Sequence, residues 1–159
     1  MFFIGMSYIK TEDDNKGLSK LLKFCICFEK LPAKIKFTYV IEYAIAKNNI
    51  SRILFFSKKL DKIEKYLKQA KFQLINCEKI NHEVYLSVNH NLINYYNFSK
   101  QTKKAIKIIE NLLSPETMII HKRITASMHQ SASVTYYDLG NFDKAHQHLD
   151  SACKRQYIF

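Results

Sequence analysis

Tyr136-Tyr137-Asp138-Leu139-Gly140-Asn141-Phe142-Asp143-Lys144-Ala145, continuing through Leu149 to Ala152, decides the fold of this chain. Gly140 has the backbone freedom to end one helix in the left-handed region and release the chain into the next. Phe142 is expected to pack back under the turn. Ala145 and Ala152 are small where a neighbouring helix must come close, and Leu149 is expected between them on the same face. The stretch therefore reads as the turn and second helix of a helical hairpin. A single hairpin cannot bury its apolar face alone, so further copies are expected to stack on it.

A second copy lies upstream. Tyr96 takes the place of Tyr136, Ala105 that of Ala145, Ile109 that of Leu149 and Leu112 that of Ala152, all at one constant offset. The pattern resembles the tetratricopeptide repeat, with a longer period than the commonest form, so the copies are degenerate. The expected fold is all-α: an irregular α-solenoid of tetratricopeptide-like helical hairpins, with about eight helices.

Composition agrees with this reading. The chain has 159 residues and is 47% hydrophobic, enough for a core, while three glycines and two prolines leave room for long helices and short turns. The same scarcity argues against a β-sandwich or a Gly-rich nucleotide fold. The formal charge of +11 raises the prospect of an acidic partner such as nucleic acid. The basic residues are nearly all Lys, whereas base reading favours Arg forks, and Arg occurs here only at Arg52, Arg123 and Arg155. Cys25, Cys27, Cys77 and Cys153 follow no metal or disulfide spacing and read as reduced thiols. No signal peptide and no stretch of membrane-spanning length is seen, so the protein is expected to be cytoplasmic, with no membrane partner.

Along the chain, residues 1–16 read as a non-globular or residual segment and residues 17–159 as the helical-repeat domain, a fragment of a longer array. Leu18, Leu21, Leu22, Cys25 and Phe28 recur at helical spacing up to Pro32. A second helix is expected from Ala33 to Lys47, with Asn48-Asn49 as its turn, and a third from Ile50. Leu60, Ile63, Leu67, Ala70 and Leu74 mark the inner face of a fourth, with Lys58, Lys62 and Lys65 on its solvated side. Helices over 84–96 and 100–113 follow, and Ser114-Pro115-Glu116 supplies the start signals of a long helix to Leu139. The last helix ends on Tyr157-Ile158-Phe159, which lacks the polar face of a terminal cap.

The chemistry points to binding. No Gly-rich phosphate loop, Gly-x-Ser-x-Gly elbow or metalloprotease His pair occurs, so no catalytic residue is expected, nor a cofactor. His146, Asp150 and Cys153 share one side of a helix at spacings of four and three, yet a structural role is favoured there over a metal. In a hairpin array the first helix of each pair lines the concave surface. His90, Asn94 and Asn97 in one copy, and Gln130 and Tyr137 in the next, are the peptide-binding candidates, because amide and phenol groups can hydrogen-bond an extended backbone.

Three short segments, in order, resemble a known family. Leu21-Leu22-Lys23-Phe24-Cys25-Ile26-Cys27-Phe28-Glu29 is similar to the Leu-x-x-Tyr-Cys-Leu-x-Phe/Leu-Asp helix that precedes the repeats of the AimR family, the arbitrium communication-peptide receptors of temperate phages. Val40-Ile41-Glu42-Tyr43-Ala44 resembles that family's Leu-Glu-Tyr-Ala segment, and Leu113-Ser114-Pro115-Glu116-Thr117-Met118 with Arg123 its Leu-Ser-Glu start of the next repeat. The resemblance implies an intracellular receptor for a short signal peptide, controlling transcription and the choice between lysis and lysogeny. It also implies a homodimer or pairing with a full-length paralogue. Residues 1–17 are too short for the family's helix-turn-helix domain, so DNA binding by this chain alone is not expected. Two rival readings are a generic protein-interaction module and nonspecific nucleic-acid binding through the Lys faces at 58–71 and 100–107.

Overall fold

The structure, a computed structural model, describes residues 1–10, 14–77, 80–113 and 121–156. Among these residues the chain is all-α. The helices are α1 (Phe2–Lys10), α2 (Asp14–Glu29), α3 (Ala33–Thr38), α4 (Val40–Phe56), α5 (Ile63–Ile75), α6 (His82–Phe98), α7 (Thr102–Leu112), α8 (Lys122–Asp138) and α9 (Phe142–Gln156), with a 3-10 turn at Leu60–Lys62 before α5. These nine helices among the described residues agree with the expected array of about eight. The Ser114-Pro115-Glu116 start signal and the Tyr157-Ile158-Phe159 end lie outside the described residues.

The repeat is written in the helix ends. After α8 the Gly140 amide bonds the Tyr137 carbonyl at 2.9 Å and the Asn141 amide bonds that of Tyr136 at 3.0 Å, with Gly140 at φ +74°. This pair of hydrogen bonds across a left-handed residue is the Schellman motif, which satisfies orphan carbonyls of the helix end. The same pair of bonds closes α6, from Lys100 to Asn97 (3.1 Å) and from Gln101 to Tyr96 (2.8 Å), with Lys100 at φ 57°. It also closes α4, from Lys58 to Phe55 (3.0 Å) and from Lys59 to Leu54 (2.9 Å), with Lys58 at φ 57°. Lys58, Lys100 and Gly140 recur at nearly equal intervals along the sequence, and the helices they end are each 17 residues long. A third copy therefore exists, over α4 and α5. It is hidden in the sequence because Lys58 stands where Gly is the easy choice.

The copies also share side-chain contacts. Lys104 Nζ lies 5.3 Å from the Tyr96 ring centre, and Lys144 Nζ lies 5.0 Å from that of Tyr136. Both residues of the second pair are displaced from those of the first by the offset of the repeat itself. Tyr96, Tyr136, Ala105, Ala145, Ile109 and Ala152 are buried as expected. Leu149 is not: it is 46% exposed, and the neighbouring His148 faces Tyr136 with its ring stacked at 5.3 Å. Phe142 is also exposed, its ring edge-on to that of Tyr137 at 5.4 Å.

The chain divides into two compact units, Met1–Val88 and Asn89–Phe159, the cut falling inside α6. In the first, α1 packs on α2, α2 on α4 and α4 on α5. The start of the chain, expected to be non-globular, forms α1, and Phe2 joins the core of Leu21, Cys25, Phe28, Tyr43, Ala46 and Ile50. Gly5 permits this close approach, since a Cβ there would meet Leu21 Cδ2 at 2.9 Å. Ile63, Leu67, Ala70 and Leu74 of α5 are fully buried as their spacing predicts, each large one contributing about 1.5–3 kcal/mol.

The expected turn at Asn48-Asn49 is not made. The helix break falls earlier, at Tyr39 (φ −115°, ψ 17°), and α4 runs on through both asparagines. Asn49 donates to the Ile45 carbonyl (3.0 Å) and Asn48 to the Ser87 hydroxyl (3.0 Å), while Ile50 and Ile53 are buried beyond them. The amides thus bond along and between helices rather than in a turn.

In the second unit α8 packs on α7 and α9. Lys100 reaches back to Asp138 at 3.0 Å across the surface of this unit.

Candidate functional site

The functional candidate begins with a lysine in the wrong place. Tyr43, Ala46, Lys47 and Ile50 share the buried face of α4, and Lys47 is only 4% exposed. A buried ammonium needs partners in every direction, and the fold supplies them. Its Nζ donates to Glu29 Oε1 at 3.0 Å and to Gln69 Oε1 at 3.1 Å. It also lies 4.6 Å from the centre of the Tyr66 ring and 5.1 Å from that of Tyr43, within cation–π range. Three helices are pinned at this point: α2 by Glu29, α4 by Lys47 and Tyr43, and α5 by Tyr66 and Gln69.

Glu29 faces outward from this cluster. The Tyr43 hydroxyl donates to its Oε1 at 2.9 Å, the same oxygen that accepts from Lys47. Oε2 receives no bond from the described residues, and the side chain is 48% exposed. Partial burial opposes the charge on Glu29, but the Lys47 and Tyr43 hydrogen bonds outweigh it, so the carboxyl titrates below its ordinary range. Burial is the main cause that drives the Tyr43 phenol up, the Glu29 carboxylate adding to it, and burial pushes the Cys25 thiol up to about 12. Neither ionises near neutrality.

In front of Glu29 opens a groove of about 870 Å³. It is lined by Glu29, Tyr43, Asp61 and one face of α5, made of Glu64, Lys65, Lys68, Gln69, Phe72 and Gln73. The α5 residues recur every three or four positions, so they form one stripe along the helix. Glu64 and Lys68 pair within it at 2.7 Å. Phe72 is 64% exposed at the far end. A groove of this size, with a fixed carboxylate, amides and an exposed aromatic, suits a small or extended ligand.

The residues expected to bind peptide are distributed otherwise. His90, Asn94 and Asn97 are brought together, but in the seam between α6 and α8. Ser131 Oγ donates to Asn94 Oδ1 at 2.6 Å and lies 3.1 Å from His90 Nε2, which is also 3.3 Å from Asn94 Nδ2. Asn97 donates to the Ser131 carbonyl (3.1 Å) and accepts from Thr135 Oγ1 (2.8 Å). Their hydrogen-bonding capacity serves helix packing there. Burial lowers the His90 pKa against the opposing bond to the Ser127 backbone, which favours a neutral ring. Gln130 and Tyr137 are exposed on α8, apart from this network.

A second polar cluster joins α8 to α9. His129 Nδ1 and His148 Nδ1 are 2.8 Å apart, and His129 is 4% exposed. Lys47, Asn89 and His129 occupy the same register in the three hairpins, spaced as the left-handed residues are, and all three are buried. His146 and Asp150 lie 3.7 Å apart at the surface, and among the described residues no group of three or more His, Cys, Asp or Glu is placed to hold a metal ion.

The sequence reading missed the groove because Glu29 and the α5 stripe look like ordinary solvated positions. One signal was present: a charged Lys47 at helical spacing among Tyr43, Ala46 and Ile50. Among the described residues no helix is long and apolar enough to cross a membrane. Compared with known protein families, with curated proteins and with solved structures, the chain matches none.

Proposed function

We propose that this chain is a helical-repeat receptor for a short peptide, acting inside the cell as the arbitrium resemblance implies. The observation that carries the reading is the groove in front of Glu29. It combines a rigidly held charge, side-chain amides and an exposed aromatic ring along one helix, the features by which a groove binds an extended backbone. The repeat of hairpins supports the same reading, because such arrays present binding surfaces rather than catalytic clefts. Capture of the peptide between α2 and α5 would favour the arrangement in which these helices are clamped, and so shift the population of the receptor's states. In the family that the sequence resembles, such a shift controls transcription and the choice between lysis and lysogeny.

The test is calorimetry and heteronuclear NMR with a panel of tetra- to hexapeptides of varied sequence. Saturable binding by a subset supports a peptide receptor, and silence across the panel overturns it. A second reading is favoured by one observation: Lys103 and Lys107 stand exposed on α7 in a chain of formal charge +11. Nonspecific nucleic-acid binding would show as DNA affinity that falls steeply with added salt, and no retention of DNA at low salt would sink that alternative.

A further inference from the structure

The groove has a polarity that its lining dictates. The charge anchored at its wall by two hydrogen bonds from α4 is negative. Glu29 is anchored through Oε1 by Lys47 and Tyr43, and Oε2 is left for an incoming donor. Asp61 lines the same opening and has no ion pair among the described residues. On the cationic side, Lys47 is sealed beneath the surface, Lys68 is engaged by Glu64, and Lys65 acts on Glu29 only through its field. Preorganised groups contribute most to affinity, because a mobile surface lysine loses side-chain freedom when it binds.

Farther along α5 the chemistry changes. Gln69 gives its carbonyl to Lys47 and keeps its amide donors, Gln73 adds a second amide, and Phe72 offers an open ring. From Glu64 to Gln73 the helix advances nine residues, or about 14 Å. Extended chain covers that distance in about four residues.

Building on the peptide-receptor reading, we propose that the groove takes an extended segment of about four residues, entered by a cationic group at one end and an apolar side chain at the other. The cation, an α-ammonium or a Lys or Arg side chain, is held by Glu29 and Asp61. The segment's backbone carbonyls accept from Gln69 and Gln73, and its apolar side chain covers Phe72.

The chain contains no Trp, so an indole in the ligand can be followed alone. The probes are the peptide amides Lys-Ala-Ala-Trp and Glu-Ala-Ala-Trp, titrated by indole fluorescence and mapped by NMR on the full chain. The lysine peptide is expected to bind at least about tenfold tighter than the glutamate one, and to shift the resonances of Glu29, Gln69, Phe72 and Gln73. Glu29→Gln is expected to lower its affinity about tenfold. Because Glu29 also supports Lys47, the surface variants Asp61→Asn and Phe72→Ala, which disturb no buried group, are each expected to weaken it about threefold. Equal binding of the two probes, or shifts confined to other helices, overturns the polarity while leaving a peptide receptor standing. Failure of these probes together with the whole varied panel overturns both.

Discussion

Lys47 and Glu29 form an asymmetric ion pair: the lysine side chain is 5% exposed and the glutamate 48%, with 3.0 Å between Nζ and Oε1. The burden of desolvation therefore rests on one partner. Removing the glutamate strands a buried ammonium, whereas removing the lysine leaves a carboxylate that water and Tyr43 can still serve. Glu29→Ala is expected to cost about 2 kcal/mol, discounted from the fully buried case because Glu29 is half exposed. Lys47→Met, similar in volume and apolar, should fall within about 1 kcal/mol of the parent or above it. Urea unfolding of both variants checks the asymmetry, and equal losses would refute it.

The shared helix ends make a second prediction. Gly140 sits at φ +74° with open space around its missing Cβ, so Gly140→Ala should cost about 1 kcal/mol from backbone conformation alone. Lys58 holds the same kind of position at φ 57°, and there Lys58→Gly should stabilise by about 0.5–1 kcal/mol. Opposite signs at equivalent turns, measured by thermal unfolding, are the expected result.

At the start of the chain, Gly5→Ala places a methyl against the fully buried Leu21. Leu21 lies in the core and has little room to yield, so a loss of about 1–3 kcal/mol is expected. If α1 were merely appended, the variant would unfold with the parent in a denaturant titration.

Acid should loosen the second unit. The His129 and His148 Nδ1 atoms, 2.8 Å apart, can hold one proton between them, and a second would set two N–H groups face to face. Burial, with the Lys144 charge, lowers the His148 pKa, and burial likewise lowers that of His90. A histidine whose folded pKa lies below the ordinary 6.5 binds protons more readily when unfolded. Its contribution is thus complete above about pH 6.5 and is lost as the pH falls toward the lowered value. Lys144 of α9 faces the cluster, 5.0 Å from the Tyr136 ring centre, and Glu110 of α7 reaches it through the Tyr136 hydroxyl, 3.5 Å away. Amide exchange in α8 and α9 should quicken between pH 7 and pH 5 (a window set by the ordinary imidazole value), and His148→Gln should flatten that change.

What the sequence by itself determined is the helical class, the Gly140 turn, the upstream copy from Tyr96 to Leu112 and the inward face of α5. These rest on local rules: the spacing of apolar residues along a helix, and the one residue type that enters the left-handed region without strain. Tertiary structure alone decided the rest, because each remaining choice depends on a partner far along the chain. Asn48 and Asn49 signal a turn locally, yet contacts such as that of Asn48 with Ser87 keep α4 intact. Asn94 and Asn97 look like groove donors until Ser131 and Thr135, a whole hairpin further on, claim them. Glu29 looks like a solvated end of α2 until Lys47 is sealed behind it. A charge becomes a site only when the fold fixes one side of it and leaves the other open, and no local pattern encodes that division.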